Sequence, residues 1–238
     1  MQLPMDSACR SPAELAELAP LPSAAQSGIR STGRFDLRLW LGPPVVLLLL
    51  AAAALAIDIP VAQWALGRNY PRAVRELMSL AEAWGHGVGV SIVLLTVYTL
   101  DPARRRDLPR AILTVAAAGC GANLVKLLIA RTRPGATDLL HVHTWETFVG
   151  WLPFGRSGSG FQSFPSAHTA TAVGLALVLG WLYPRGRWLF GVFAVAVGIQ
   201  RVFASAHYPS DVLAGAAVGW LCAWAILRLR RSPASQSG

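Results

Sequence analysis

Six apolar runs, each close to the length that crosses the hydrocarbon core of a bilayer, constrain this chain more than any other feature of it. They occupy residues 39–57, 86–100, 111–130, 169–183, 188–206 and 212–227. The second and fourth are short and draw on their flanks, 80–85 and 165–167. A chain of 238 residues that is 54% hydrophobic and only 14% charged, with mean hydropathy +0.46, carries more apolar surface than one soluble core needs. The fold class expected is all-α, a polytopic membrane bundle of six helices.

The net charge of +9 invites a nucleic-acid reading, which its distribution excludes. The arginines fall in short clusters beside apolar runs: Arg30, Arg34 and Arg38; Arg104, Arg105, Arg106 and Arg110; Arg185 and Arg187; Arg228, Arg230 and Arg231. These are alternate loops, so the positive-inside rule places them and both termini in the cytoplasm. Loops near 60–84, 131–164 and 207–210 then face outward. Residues 1–33, punctuated by Pro4, Pro12, Pro20 and Pro22, read as a disordered cytoplasmic tail, 34–231 as the membrane domain and 232–238 as a second tail. The first apolar run reads as a retained signal anchor. Cys9, Cys120 and Cys222 form no even framework, and no structural disulfide is expected.

Within this frame, charge at membrane depth marks function. Residues 200–211, QRVFASAHYPSD, set Arg201, His207 and Asp211 at the outer turn between the fifth and sixth runs. The spacing of four lets the Asp211 carboxylate reach the His207 imidazole and leave its other nitrogen as nucleophile or base. Lys126, the one lysine of the chain, lies seven residues before Arg133. If the third helix continues to its stop before Pro134, both project from one face and Arg131 points elsewhere. Pro165 and Ser166 suit a helix start, and His168 follows where unpaired N–H groups favour a phosphate. Topology brings all of these to one side. Three cations, a helix terminus and two histidines suit phosphoryl transfer, whose spreading charge must be met by fixed positive groups.

The remaining features read more plainly. Residues 61–83 mix apolar and charged side chains as an amphipathic helix on the outer interface or a folded cap over the spans. Asp58 and Pro60 end the first span where polar groups reach water. His141, His143 and Glu146 offer an alternative metal site on the weak evidence of an H-x-H pair. His86 has an interfacial or packing role. The Gly- and Ser-rich run GRSGSGFQS is a flexible loop whose N–H groups also suit an anion.

Three segments together resemble the signature motifs of the type 2 phosphatidic acid phosphatase family, related to vanadium haloperoxidases: K-x6-R-P at 126–134, P-S-G-H at 165–168 and S-R-x5-H-x3-D at 200–211. The match runs from about residue 85 to 227. It implies a six-helix membrane phosphatase with an outward-facing site, in a cell (inner) membrane, hydrolysing lipid phosphates through a phosphohistidine without a metal or other cofactor. By position, Lys126, Arg133, Ser166 and Arg201 would bind phosphate. His207 would attack phosphorus, Asp211 orient it and His168 protonate the leaving oxygen. Ala167 stands where the family has Gly and Gln200 where it has Ser, which puts in doubt a loop detail and a minor contact. Candidate substrates are a polyprenyl diphosphate, phosphatidylglycerol phosphate, phosphatidic acid or a lipid A phosphate. The alternatives are a lipid phosphotransferase on the same site and a non-catalytic transporter.

Overall fold

The computed structural model describes residues 37–67, 70–151 and 158–228. The tails expected at 1–33 and 232–238 lie outside them, as do Arg30, Arg34, Arg230 and Arg231. Each of the six apolar runs is helical. Helix α1 (Leu37–Ala54) turns by 74° into the short α2 (Asp58–Leu66). The amphipathic helix expected over 61–83 is therefore divided, because α2 ends at Leu66 and α3 (Arg72–Gly85) begins afresh. Half-buried Val74, Met78 and Ala81 and buried Gly85 form one face of α3 at helical spacing, and that face packs on neighbours. Helix α3 lies against the later helices as a folded cap and bends by 64° at His86 into α4 (Gly87–Leu100).

A 3-10 turn (Pro102–Asp107) leads into α5 (Leu108–Leu128), and strand β1 (Ile129–Arg131) pairs antiparallel with β2 (Phe148–Trp151). Helices α6 (Ala167–Leu182), α7 (Arg187–Phe203) and α8 (Pro209–Arg228) follow. Helix α6 is central, packing on α5, α7 and α8, while α1 covers α8. Leu175, Val178, Leu179 and Leu182 of α6 meet Ala111 and Val115 of α5, Leu94 of α4 and Ala223 and Leu227 of α8 in one buried cluster. Small residues set the spacing. A Cβ at Gly215 would stand 2.3 Å from the Ser166 carbonyl oxygen, and one at Gly219 2.3 Å from that of Ala170. This small-xxx-small stripe lets α8 lie against the backbone of α6, as in lipid, where close van der Waals fit drives helix association.

The outer faces are apolar as well: Leu49 is 66% exposed, Leu95 61%, Leu124 63% and Val195 62%. Water would penalise such faces, and acyl chains match them. Pro102–Leu128, Pro184–Phe203 and Pro209–Arg228 are long and apolar enough to cross a membrane, and the two bent pairs raise the number to as many as five. Helix α6, with 16 residues, is shorter. The protein is a multi-pass helical membrane protein.

Candidate active site

Four helix ends and one loop converge. Lys126 lies in the last turn of α5 and is buried. The sequence expectation that this helix runs on to Arg133 fails: it stops at Leu128, and residues 129–131 enter the strand pair. β-branched Ile129 and Thr132 and the residue before Pro134 all disfavour helix there, and the Thr132 N–H instead donates to the Thr147 carbonyl at 2.9 Å. Arg133 is extended, with φ −77° and ψ 149°. It still returns to Lys126, close enough for the two charges to interact, and near Arg201 and Asp211. Burial, and then the Arg201 cation, hold the Arg133 pKa below its ordinary value. Its Nε is buried with no hydrogen-bond partner among the described residues.

Ser166 is the N-cap of α6: its Oγ accepts from the Thr169 N–H at 3.4 Å and from Thr169 Oγ1 at 2.9 Å. Its own N–H donates to the Asp211 carbonyl oxygen at 3.0 Å, which binds the starts of α6 and α8 together. His168, one residue into α6, is partly exposed and feels the charges of Arg201, Glu82, His207 and His86. Arg201 lies in the last turn of α7 and is buried.

His207 precedes α8 and is 3% exposed. Its Nδ1 stands 2.7 Å from the Ser163 carbonyl oxygen and 3.8 Å from Asp211 Oδ2. The Ser163 carbonyl takes the direct hydrogen bond, and Asp211 stays within ion-pair distance of the same nitrogen. A carbonyl only accepts, so Nδ1 carries the proton and the lone pair of the neutral ring is on Nε2. Burial pushes the His207 imidazole below its ordinary value, Asp211 opposes this, and Lys126 and Arg133 add to it.

Asp211 holds the frame around the histidine. Its Oδ2 accepts from Ser163 Oγ at 2.6 Å and from the Tyr208 N–H at 2.9 Å, and its Oδ1 pairs with Arg131 Nη1 at 2.6 Å. So Asp211 fixes the residue whose carbonyl fixes His207.

Two residues of this frame were misread in the sequence. Arg131, expected to point elsewhere, is fully buried, lies between the Phe148 and Tyr208 rings at 4.4 and 4.1 Å, and joins Asp58 to Asp211. Asp58, expected to reach water, is 0% exposed. It accepts from Arg131 Nη2 at 2.6 Å, from the Ser210 N–H at 3.0 Å and from Ser210 Oγ. The bend after α1 turns Asp58 inward, under the start of α8. The available signal was a carboxylate directly beside an apolar run, where membrane depth requires a partner. Glu82 of α3 went unremarked as a site neighbour, and it lies 2.8 Å from Arg201 Nη2 and 3.8 Å from His168 Nε2.

Other candidates are engaged locally. The His143 N–H donates to Glu146 at 2.7 Å in a capping box, and His141 pairs with Asp138 at 3.0 Å. Among the described residues no three His, Cys, Asp or Glu side chains form a group fit to hold a metal. His86 caps α4 through Val88 N–H, and its ring centroid lies 6.0 Å from that of His168.

This assembly has relatives. Over 185 residues the chain is 31% identical to the lipid A 1-phosphatase of Rhizobium etli, covering 71% of this chain and 75% of that one. Its fold is similar to the crystal structures of Aquifex aeolicus LpxE (TM-score 0.56, 20% identity, 73% of this chain and 96% of the other) and of a PAP2-type phosphatidylglycerolphosphate phosphatase from Bacillus subtilis (0.55, 20%, 77% and 94%). The PAP2 superfamily model matches residues 108–233, the stretch that holds Lys126, Arg133, Ser166, His168, Arg201, His207 and Asp211, and by that match the chain belongs to the PAP2 superfamily.

Proposed function

We propose that this protein is a membrane lipid phosphate or diphosphate phosphatase that works without a metal through a phosphohistidine on His207. The observation that carries the reading is the fixed tautomer: the Ser163 carbonyl holds the Nδ1 proton, which leaves Nε2 as the free nitrogen beside the charges of Lys126 and Arg133. Nε2 attacks phosphorus in line. The bond from phosphorus to the lipid oxygen breaks, and protonated His168 gives its proton to that oxygen. Lys126, Arg133, Arg201 and the Ser166 hydroxyl hold the phosphoryl oxygens, so fixed protein charge does the work a metal would otherwise do. Neutral His168 then takes a proton from water as it attacks the phosphohistidine, the bond from phosphorus to Nε2 breaks with its electron pair returning to His207, and inorganic phosphate leaves.

Two further features support a lipid substrate met at the outer face of the inner membrane. Arg104–Arg106, Arg185, Arg187 and Arg228 sit at the ends of α5 to α8 opposite the site, and the positive-inside rule assigns those ends to the cytoplasm. We read α1 and α4 to α8 as six spans with both termini inside. Below the site, a cavity of about 770 Å³ runs between α1, α6, α7 and α8 from Thr169, Gly198 and Val212 to Trp181, Trp188 and Trp220. Its apolar lining suits an acyl or prenyl tail, which exchanges one hydrocarbon surrounding for another.

The test is phosphate release by purified protein in detergent with excess chelator. A panel of polyprenyl diphosphate, phosphatidylglycerol phosphate, phosphatidic acid and a lipid A phosphate is expected to contain at least one substrate, with turnover abolished in His207→Ala. Equal release by that variant overturns the reading. Release that falls as an added lipid alcohol becomes phosphorylated assigns transfer instead.

A further inference from the structure

Arg201 sits in a closed ring of three side chains. Its Nε donates to Gln200 Oε1 at 2.6 Å, its Nη2 pairs with Glu82 Oε1 at 2.8 Å, and Gln200 Nε2 donates to Glu82 Oε2 at 3.2 Å. Neighbours one apart on a helix do not ordinarily face each other. Here Gln200 turns back onto Arg201, and Glu82, 118 residues away from Gln200 in sequence, closes the ring from α3.

An isolated, partly exposed ion pair contributes little. This one differs in its geometry and in the burial of two of its three members, since Gln200 is 5% exposed and Arg201 7%, while the Glu82 side chain is 39% exposed. Nε and Nη2 form one edge of the guanidinium fork, and both are occupied. Among the described residues no partner occupies the edge between Nη1 and Nη2, and a planar fork offers an anion two parallel hydrogen bonds best from an edge whose orientation is fixed.

We propose that Glu82 and Gln200 are positioning residues that clamp one edge of Arg201 so that its other edge meets the substrate phosphate. The inference rests on the phosphatase reading and adds to it two residues that act through Arg201. Gln200 stands where the family pattern has Ser, and its longer amide is what reaches Nε and Glu82 at once.

Variants read against dioctanoyl phosphatidic acid in detergent, with inorganic phosphate as competitor, test the clamp. Glu82→Ala and Gln200→Ala are each expected to lower kcat/KM about tenfold, with a matching rise in KM and in the phosphate inhibition constant. Combined, they are expected to cost little more than either alone, because breaking the ring at one point frees the same edge. In an Arg201→Ala background, Glu82→Ala is expected to change nothing. Glu82→Gln accepts from only one of its two donors and falls between wild type and Glu82→Ala, which separates a clamp from a fold defect, as does an unchanged unfolding midpoint. The inference is overturned if Glu82→Ala matches wild type, or if it lowers kcat/KM equally with and without Arg201. His207→Ala in the same series tells the two levels apart: its full activity removes the phosphatase reading, whereas a dead His207→Ala beside an unimpaired Glu82→Ala removes the clamp alone.

Discussion

Arg131 and Asp211 meet at 2.6 Å with both side chains wholly withdrawn from solvent. Asp58 completes the set on the other nitrogen of the same guanidinium. One cation thus serves two buried carboxylates, one on α2 and one on α8, and the remaining negative charge is eased by the N–H groups at the start of α8 that point at them.

Removing Arg131 leaves both carboxylates buried without their cation. Arg131→Met is expected to destabilise the protein by about 3–5 kcal/mol, the scale of a broken buried pair, and to lower activity by releasing Asp211 and Ser163. Arg131→Lys restores the charge but not the fork, and is expected to recover only part of the loss. Thermal unfolding in detergent measures both, and an Arg131→Met protein as stable as wild type contradicts the frame.

The depressed pKa of His207 has a definite sign. Its folded value lies below the ordinary 6.5, so the unfolded chain binds more protons between the two values, and stability rises with pH across that window. Stability is therefore expected to fall as the solution is acidified below about 6.5, and less so in His207→Gln. The acid limb of kcat/KM is expected below the same pH, since neutral Nε2 is the nucleophile. Unfolding midpoints and rate profiles over this range report the two effects separately.

If His168 delivers the proton to the leaving oxygen, its removal matters most for poor leaving groups. His168→Ala is expected to slow hydrolysis of an alkyl lipid phosphate by about 10²–10⁴-fold and that of a nitrophenyl phosphate far less. Equal losses on both substrates would count against the acid role.

Gly215 tests the close approach of α8 to α6. Its Cβ position lies 2.3 Å from the Ser166 carbonyl oxygen, which is backbone and cannot swing aside. Gly215→Ala is expected to cost about 1–3 kcal/mol and to lower activity through displaced Ser166. Unfolding and rate measurements on that single variant suffice.

The gathering of Lys126, Ser166, His168, Arg201, His207 and Asp211 at one end of the helices was legible in the sequence, because span order and the arginine clusters fix which helix ends share a side. What surrounds them was not. Hydropathy ends the third span correctly near residue 130, but the strand pairing of 129–131 with 148–151 depends on a partner some twenty residues away, and it sends Arg131 inward and brings Arg133 back by an extended path. Asp58 looked like the watery end of a span because the 74° bend after α1 leaves no local mark. The Ser163 carbonyl that fixes His207 is main chain, and no residue type advertises it.

Central α6 also sets a depth. Its 16 residues rise about 24 Å, whereas a bilayer core measures about 30 Å, and its companions α5 and α8 have 21 and 20 residues. Gly215 of α8 packs on Ser166 and Gly219 on Ala170, so residues 209–214 of α8 run on past the level of Ser166, and the floor carrying Ser166 and His168 lies below that rim. On the phosphatase reading, a phosphate anchored to a bilayer tail is expected to descend below that rim, and one borne on a bulky soluble body to be stopped at it. Helix length, independently of any contact to the ligand, is on that reading a filter on the substrate.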